Sequence, residues 1–347
     1  MKAGIITFFW SNNVGALIQS ISLKEFLNNN YKKIEFEFEN YTPGELVFRE
    51  NKSQLKTFNP IKYIKALKKN IYLDKWKKEI AELPNYDSHK ENKIFDKNLY
   101  IYGSDEIWNY DNPFFQYDDY FFGSKNNKVK IAYAVSIGNL NFTLKSIPED
   151  IKNNIKSFSN IIVRDKNTCD FVNFITNKKP FIGCDPSLLI TPRLLSGESS
   201  SYYNILKEDN YILIYGIFFS NKQIKEIKNY SKKNNLKIIS VSYYNSWADK
   251  NFLSINPNDF IFLLKKSKII ITSMFHGIIL SYKNKKNFWY SNDPYRKNKI
   301  EFFLDKFNLN KRMIDNIDSS EINYNSLQNK FDDWIDESKE KLLASIN

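Results

Sequence analysis

The stretch GIITFFWSNNVGALIQSISLKEFL, residues 4–27, places a short apolar run, a polar loop and a helical pattern one after another. Residues 4–9 are almost all apolar, residues 11–15 form a loop pattern, and apolar residues recur at helical spacing from 16 to 27. Residues 34–41 then alternate between apolar and charged side chains, which is typical of a strand with one exposed face. The order strand, helix, strand predicts a β-α-β unit in a parallel sheet.

The same alternation continues through the rest of the chain. Further strands are predicted at 98–102, 129–136 and 159–163, with helices at 147–156 and 166–174. Residues 191–210 are rich in turn-forming residues, and a second series begins beyond them at the apolar strand 211–215. Its other members are strands at 237–241, 268–272 and 287–290 and helices at 220–234, 257–266, 277–284, 297–308 and 327–344. We therefore predict two doubly wound α/β domains, 1–195 and 205–347, with the last helix packing back on the first domain.

The composition excludes several classes of protein. A hydrophobic content of 42% in 347 residues is enough for two buried cores, so a disordered chain is not expected. No apolar stretch approaches the roughly twenty residues that span a bilayer, and the N-terminus lacks a signal-peptide pattern, so we expect a cytoplasmic protein. Cys169 and Cys184 have neither metal nor disulfide spacing and are expected in the core. No metal site is predicted, because no His, Asp and Glu cluster has ligand spacing.

Lysine carries most of the formal net charge of +12. The basic residues are scattered, so the charge does not favour nucleic acid as a partner. Residues 61–80 form an exception, with seven lysines between Lys62 and Lys78 among regularly spaced apolar residues. Two interpretations stay open for this segment, a helix lying on an anionic membrane surface and a helix with a solvated basic face. A helix on an anionic membrane surface would place the protein at the inner face of the membrane.

Polar residues follow four predicted strands, at the sheet edge where ligands gather in open α/β folds. These segments are Asn12–Gly15, Gly103–Asn109, Val163–Asp165 and Phe275–Gly277. His276 would begin a helix beside Gly277, where free backbone N–H groups and the helix dipole favour an anion. On spacing alone, a histidine that donates a proton to a bound substrate and a packed structural histidine are equal alternatives.

Arg164 and Asp105 leave similar alternatives open. Arg164 can grip a carboxylate or a phosphate with its planar guanidinium, or it can form a structural ion pair with Asp165 or Asp170. Asp105 can act as a general base, or it can cap a helix that begins at Glu106.

These segments belong to an ordered set of motifs that resembles the polysaccharide pyruvyl transferase family. The set consists of TFFWSNNVGALIQ at 7–19, YGSDEIWN at 102–109, KIAYAVS at 130–136, VRD at 163–165, CDPSLL at 184–189, TSMFHG at 272–277 and the segment 296–315. Each motif is moderately specific, and the set spans nearly the whole chain. The resemblance implies two Rossmann-like domains facing a cleft, as in GT-B glycosyltransferases.

The resemblance also implies an enzyme that transfers pyruvate from phosphoenolpyruvate onto a sugar of a surface polysaccharide or its precursor, as a ketal. Phosphoenolpyruvate is then a co-substrate, and no cofactor is expected. By motif, the residues implied in donor binding are Arg164, His276, Gly277 and Arg296, with His276 also the proton donor. The acceptor-side residues are Asn13, Gly15, Ser104 and Asp105, with Asp105 as the base.

The chain departs from the family pattern at Met274, where some relatives have an arginine. Arg296 or a lysine is expected to supply the missing charge. Two other functions stay open. One is a GT-B glycosyltransferase with a nucleotide-sugar donor, and the other is a non-catalytic protein that binds polyanions in a salt-sensitive way. For the acceptor sugar, a lipid-linked, a nucleotide-linked and a polymeric form stay open.

Overall fold

The structure, a computed structural model, describes most of the chain. The described residues are 1–41, 60–84, 95–112, 117–144, 146–198, 200, 202, 210–292, 296–314 and 317–347. Part of the predicted linker at 191–210 therefore lies outside them.

The first half of the chain forms a parallel sheet with helices on both faces. Its strands are β1 Lys2–Ile6, β2 Glu35–Phe38, β3 Leu99–Tyr102, β4 Val129–Val135, β5 Asn160–Val163 and β6 Phe181–Ile182. Its helices are α1 Val14–Asn30, α2 Pro60–Glu79, α3 Glu149–Lys156, α4 Lys166–Thr176 and the short α5 Pro186–Leu189. The strand order is β2-β1-β3-β4-β5-β6, and β1 pairs in parallel with both β2 and β3. The chain thus reverses its winding between β1 and β3, where open α/β sheets form a ligand crevice.

The second half repeats this architecture. Its strands are β7 Tyr211–Tyr215, β8 Lys237–Val241, β9 Lys250–Phe252, β10 Ile269–Thr272 and β11 Phe288–Tyr290. Its helices are α6 Asn221–Lys233, α7 Pro257–Lys266, α8 Phe275–Lys283, α9 Lys297–Lys306 and α10 Tyr324–Ile346. The order β11-β10-β7-β8-β9 puts the reversal between β7 and β10. The strands β3, β7 and β10 are buried at every residue, as expected when helices cover both faces of a parallel sheet.

The predicted strands and helices in the described ranges are present, and their ends differ by a few residues. β6, β9 and α5 were not predicted, because they contain two, three and four residues and are too short to show a periodic pattern. Cys169 and Cys184 are buried free thiols, as expected.

Helices join the two sheets into one body. Residues Val14–Leu23 of α1 are buried, and one apolar cluster runs from the strands of the first sheet through α1 to the second sheet. α10 lies against the first sheet, because Nε1 of Trp334 donates to the carbonyl of Ile182 at 3.0 Å. The carboxyl ends of strands from both sheets therefore lie on the two sides of α1.

The basic segment forms α2, which touches both halves of the molecule. Nδ2 of Asn12 donates to Oδ1 of Asn70 at 3.2 Å, and Nζ of Lys69 donates to the carbonyl of Ser242 at 3.3 Å. Within the described ranges, no helix is both long enough and apolar enough to cross a membrane.

Candidate active site

His276 lies in the first turn of α8, directly after the buried strand β10. A Cβ atom at Gly277 would overlap Oγ1 of Thr272, so glycine is required for the sharp turn from strand into helix. The N-cap of α8 is Met274, which provides no side-chain acceptor. The backbone N–H groups of the first turn are therefore not capped by a side chain, which suits an anion.

The imidazole of His276 packs directly on Gly15 at the start of α1. A Cβ atom at Gly15 would overlap Nδ1 of His276, so only glycine allows this approach. Asn13 is the N-cap of α1, and its Oδ1 accepts hydrogen bonds from Gly15 N–H at 2.9 Å and from the hydroxyl of Tyr215 at 3.4 Å. The first turn of α1 is thus held between β1 and the carboxyl ends of β7 and β10.

Asp185 connects Arg164 to His276. Nη1 of Arg164 donates to Oδ2 of Asp185 at 3.0 Å, and Nε2 of His276 lies 3.5 Å from the same oxygen. The other carboxylate oxygen accepts from Ser187 N–H as the N-cap of α5. The role of Asp185 was not predicted, although an aspartate before a proline after a strand is a recognisable N-cap signature.

Arg164 is buried between two carboxylates. Its Nη2 donates to Oδ1 of Asp105 at 3.0 Å, and its guanidinium carbon lies 5.1 Å from the ring centre of Phe275. The side chain of Arg164 is 1% exposed, whereas that of Asp105 is 16% exposed, so Asp105 lies on the solvent side of the pair. Nε of Arg164 and Nε2 of His276 are buried and make no hydrogen bond to any part of the chain that the structure describes.

Arg164 does form buried ion pairs, but the partners expected from the sequence are wrong, and so is the helix expected at Glu106. Arg164 does not pair with Asp165 or Asp170, because Asp165 caps α4 and Asp170 pairs with Lys166. No helix begins at Glu106 within the described stretch 95–112, so Asp105 is not a helix cap.

Asp105 instead lies in a turn, with a φ of 80° in the left-handed region that most side chains avoid. Its Oδ1 accepts from Glu106 N–H at 2.9 Å. Ser104 beside it is fully buried, and its hydroxyl donates to Oε1 of Gln19 at 2.9 Å. The hydroxyl of Ser104 is therefore not presented to solvent.

The buried charges in this cluster stabilise one another. Burial alone would raise the pKa of Asp185, but the charges of His276 and Arg164 hold that pKa well below its ordinary value. Burial likewise acts to raise the pKa of Asp105, and Arg164 and Lys299 bring the net pKa below its ordinary value. Burial would lower the pKa of Arg164, but Asp105 and Asp185 raise it above its ordinary value. Both carboxylates are therefore ionised at neutral pH.

A second buried ion pair lies next to this cluster. Nζ of Lys299 on α9 is 2.5 Å from Oε1 of Glu106 and 5.8 Å from the ring centre of Phe275. Arg296, the N-cap of α9, is partly exposed. Burial raises the pKa of the Tyr215 hydroxyl, and the charge of Arg296 acts against this rise. Both α9 cations therefore lie near the residues that follow β7 and β10.

The described residues offer no metal centre, because no group of three His, Cys, Asp or Glu side chains among them could hold an ion. The arrangement instead provides a guanidinium, an imidazole and an uncapped helix N-terminus beside a partly exposed carboxylate. Such a site can bind an anion and transfer a proton.

The family model for polysaccharide pyruvyl transferase matches residues 13–292. This match includes Asn13, Asp105, Arg164, Asp185 and His276 and ends before Arg296. No curated protein matches the chain.

Solved structures with a similar fold include two UDP-GlcNAc 2-epimerases. The enzyme from Methanocaldococcus jannaschii is 11% identical with a TM-score of 0.53, and 100% of this chain and 99% of that chain are covered. The enzyme from Neisseria meningitidis, bound to UDP-GlcNAc, is 12% identical with a TM-score of 0.51, at the same coverage of 100% and 99%. At these identities the similarity shows the fold alone. The predicted fold, α/β with two Rossmann-like halves of the GT-B type, is confirmed.

Proposed function

The chain belongs to the polysaccharide pyruvyl transferase family, and on that premise we propose that it transfers pyruvate from phosphoenolpyruvate onto two hydroxyls of a sugar as a ketal. The contact of Arg164 and His276 with one carboxylate oxygen of Asp185 carries the proposal. At this oxygen, a guanidinium from the first half of the chain meets an imidazole from the second half. The imidazole lies beside a helix N-terminus. A small anion with a carboxylate and a phosphate fits such a pair of groups.

We expect donor binding to involve an exchange at Arg164, because its terminal nitrogens hold Asp185 and Asp105 and its remaining donor, Nε, is buried. Asp105 is the more exposed partner, and Asp185 is fixed as the N-cap of α5. The carboxylate of phosphoenolpyruvate would displace Asp105 from Nη2, so one carboxylate replaces another beside the guanidinium. The phosphate would then lie toward the start of α8, near Arg296 and Lys299.

The reaction follows from these positions. The imidazolium of His276 donates a proton to C3 of the donor, which becomes a methyl group while C2 gains positive character. A sugar hydroxyl forms a bond to C2 and loses its proton to Asp105. The bond from C2 to the phosphate oxygen then breaks, phosphate leaves with the electron pair, and a second hydroxyl closes the ketal. Of the two hydroxyl protons, one replaces the proton that His276 gave to C3 and the other leaves with phosphate.

Asp185 acts as a positioning residue in this scheme. Its carboxylate accepts from Nη1 of Arg164 and lies 3.5 Å from Nε2 of His276, so its charge orients both groups toward one point. The sugar acceptor, with a lipid, nucleotide or polymer linkage, would approach from the side of Asp105 and Asn13.

The test is a turnover experiment with purified protein, phosphoenolpyruvate and a panel of nucleotide-linked and lipid-linked sugars. We expect phosphate release together with a product heavier by one pyruvyl group. Arg164→Lys should lower this activity strongly because a lysine lacks the bidentate fork, whereas Arg193→Lys, at an exposed arginine, should not. Consumption of a nucleotide-sugar without any use of phosphoenolpyruvate would instead support a glycosyltransferase.

A further inference from the structure

The outward face of α2 carries a stripe of exposed apolar side chains. Tyr63, Ile64, Leu67 and Ile71 are 45%, 52%, 42% and 61% exposed. Their spacings of three and four residues put them on one side of the helix. In the part of the chain that the structure describes, twelve large apolar side chains are exposed, and four of them lie in these nine residues. Apolar side chains clustered on a surface in this way mark a contact site.

The opposite face of α2 is fixed to the body of the protein. Leu73 and Trp76 are buried in the core cluster. Lys69 is bound to the carbonyl of Ser242, and Nδ2 of Asn256 donates to the hydroxyl of Tyr72 at 2.7 Å. The helix therefore cannot rotate to bury its outward stripe without breaking these contacts.

The charge beside the stripe is positive. Of the lysines between Tyr63 and Leu73, Lys69 is buried on the opposite face, whereas Lys65 is half-buried and Lys68 is exposed, and this stretch contains no acidic residue. Lys68 is exposed and adjoins Ile64 and Ile71 on the helix surface, at spacings of four and three residues. One turn beyond Ile71 the charges are already paired, Lys75 with Glu79 at 3.8 Å and Asp74 with Lys77 at 2.9 Å. Apolar side chains bordered by lysines are the pattern of a helix that lies in the headgroup region of an anionic bilayer.

We propose that the stripe of Tyr63, Ile64, Leu67 and Ile71, with Lys68 at its border, is a docking surface for an anionic lipid bilayer. The apolar side chains enter the boundary between headgroups and acyl chains, and the lysines contact lipid phosphates. A second copy of the chain fits less well, because a two-fold interface through this stripe would bring the flanking lysines of both copies together.

Vesicle flotation with the full chain tests the proposal without using the transfer reaction. We expect binding to vesicles of phosphatidylcholine mixed with phosphatidylglycerol, and weak binding to phosphatidylcholine alone. The variant Ile64→Ser, Leu67→Ser, Ile71→Ser should bind at least about tenfold more weakly, because three apolar contacts are lost. The matched control is Leu144→Ser with Phe174→Ser, which removes two exposed apolar side chains elsewhere and should bind like the wild type. Lys68→Glu should weaken binding, and added salt should do the same.

Several results would overturn the proposal. They are the absence of wild-type binding to anionic vesicles, equal binding to neutral vesicles, and unchanged binding by the triple variant. A lipid-free dimer that the triple variant dissociates in sedimentation velocity would assign the stripe to a second copy. Circular dichroism melting checks that the triple variant folds. If it does not fold, vesicle binding by the single variant Ile71→Ser is compared with that of the wild type. Because the readout is vesicle binding, failure here leaves the proposed transfer reaction untouched.

Discussion

Arg164 and His276 approach the same oxygen, Oδ2 of Asp185, from opposite halves of the molecule, at 3.0 Å and 3.5 Å. Arg164 follows a strand of the first sheet, and His276 follows a strand of the second sheet. A single buried carboxylate therefore lies between the two groups that the proposed chemistry requires.

His276→Gln removes the proposed acid and keeps a side chain of similar size. We expect kcat to fall by about 10²-fold or more, the usual contribution of a general acid. Phosphate release under saturating phosphoenolpyruvate measures this effect. Tyr282→Phe, on the same helix, is the control. It removes a hydroxyl that has no hydrogen-bond partner among the residues that the structure describes. Wild-type activity in His276→Gln would remove His276 from the acid role.

Asp185→Asn tests the shared carboxylate. The substitution leaves a buried guanidinium with one carboxylate fewer, and we expect the free energy of unfolding to fall by about 3 kcal/mol. It also removes the carboxylate charge 3.5 Å from Nε2 of His276, so kcat should fall more than the affinity for phosphoenolpyruvate does. Urea unfolding and steady-state kinetics measure the two effects. An activity that stays at the wild-type level would show that Asp185 has only a structural role.

Gly15→Ala tests the close approach between α1 and the imidazole. The added methyl group would overlap Nδ1 of His276, so the imidazole must move and kcat should fall. Gly183→Ala is the matched control, because its Cβ atom would crowd Ile162 at 2.7 Å, away from the imidazole. Both variants should lose about 1–3 kcal/mol of stability through overpacking. If both lose activity equally, the contact with His276 is not the cause.

The buried amine of Lys283 should make the free energy of unfolding depend on pH. Burial lowers the pKa of Lys283 to about 8, and its Nζ donates to the carbonyls of Ser187 and Ile190 at 2.6 Å and 2.7 Å. The unfolded chain keeps this proton up to a pKa of about 10.4, so between about pH 8 and that value the unfolded state binds more protons. The free energy of unfolding should therefore rise with pH in this window, by up to about 3 kcal/mol.

Lys283→Met should remove this rise. The measurement is the difference between wild type and Lys283→Met in urea unfolding at a series of pH values, which cancels the other titrating groups. Parallel pH profiles for the two proteins would contradict the assignment.

The sequence predicted the parts of the fold that depend on local patterns. Apolar runs that end in glycine or polar residues located the strand ends, and parallel strands bring such ends to one edge of a sheet. The contacts of Arg164 could not be predicted in this way, because its partners Asp105 and Asp185 lie 59 and 21 residues away along the chain. The acidic residues nearest in sequence are instead used for a helix cap and a surface ion pair.

The sequence of α2 alone also could not predict which of its faces packs on the body of the protein. Its periodicity and lysine content indicate an amphipathic helix. The two interpretations, a membrane-surface helix and a helix with a solvated face, both take all of its lysines as exposed. The structure divides them, since Lys69 is buried against Ser242 and Lys68 is exposed. This division depends on the opposing surface, which the local sequence does not encode.

Binding of the donor between Arg164 and His276 is tested by a calorimetric titration of phosphoenolpyruvate into wild type, Arg164→Lys and His276→Gln, each repeated in the presence of UDP. We expect saturable binding to the wild type, at least about tenfold weaker binding in both variants because each loses a charged hydrogen bond, and no competition by UDP. If phosphoenolpyruvate does not bind, while UDP binds the wild type and loses affinity in the same two variants, the site takes a nucleotide donor and the account is wrong.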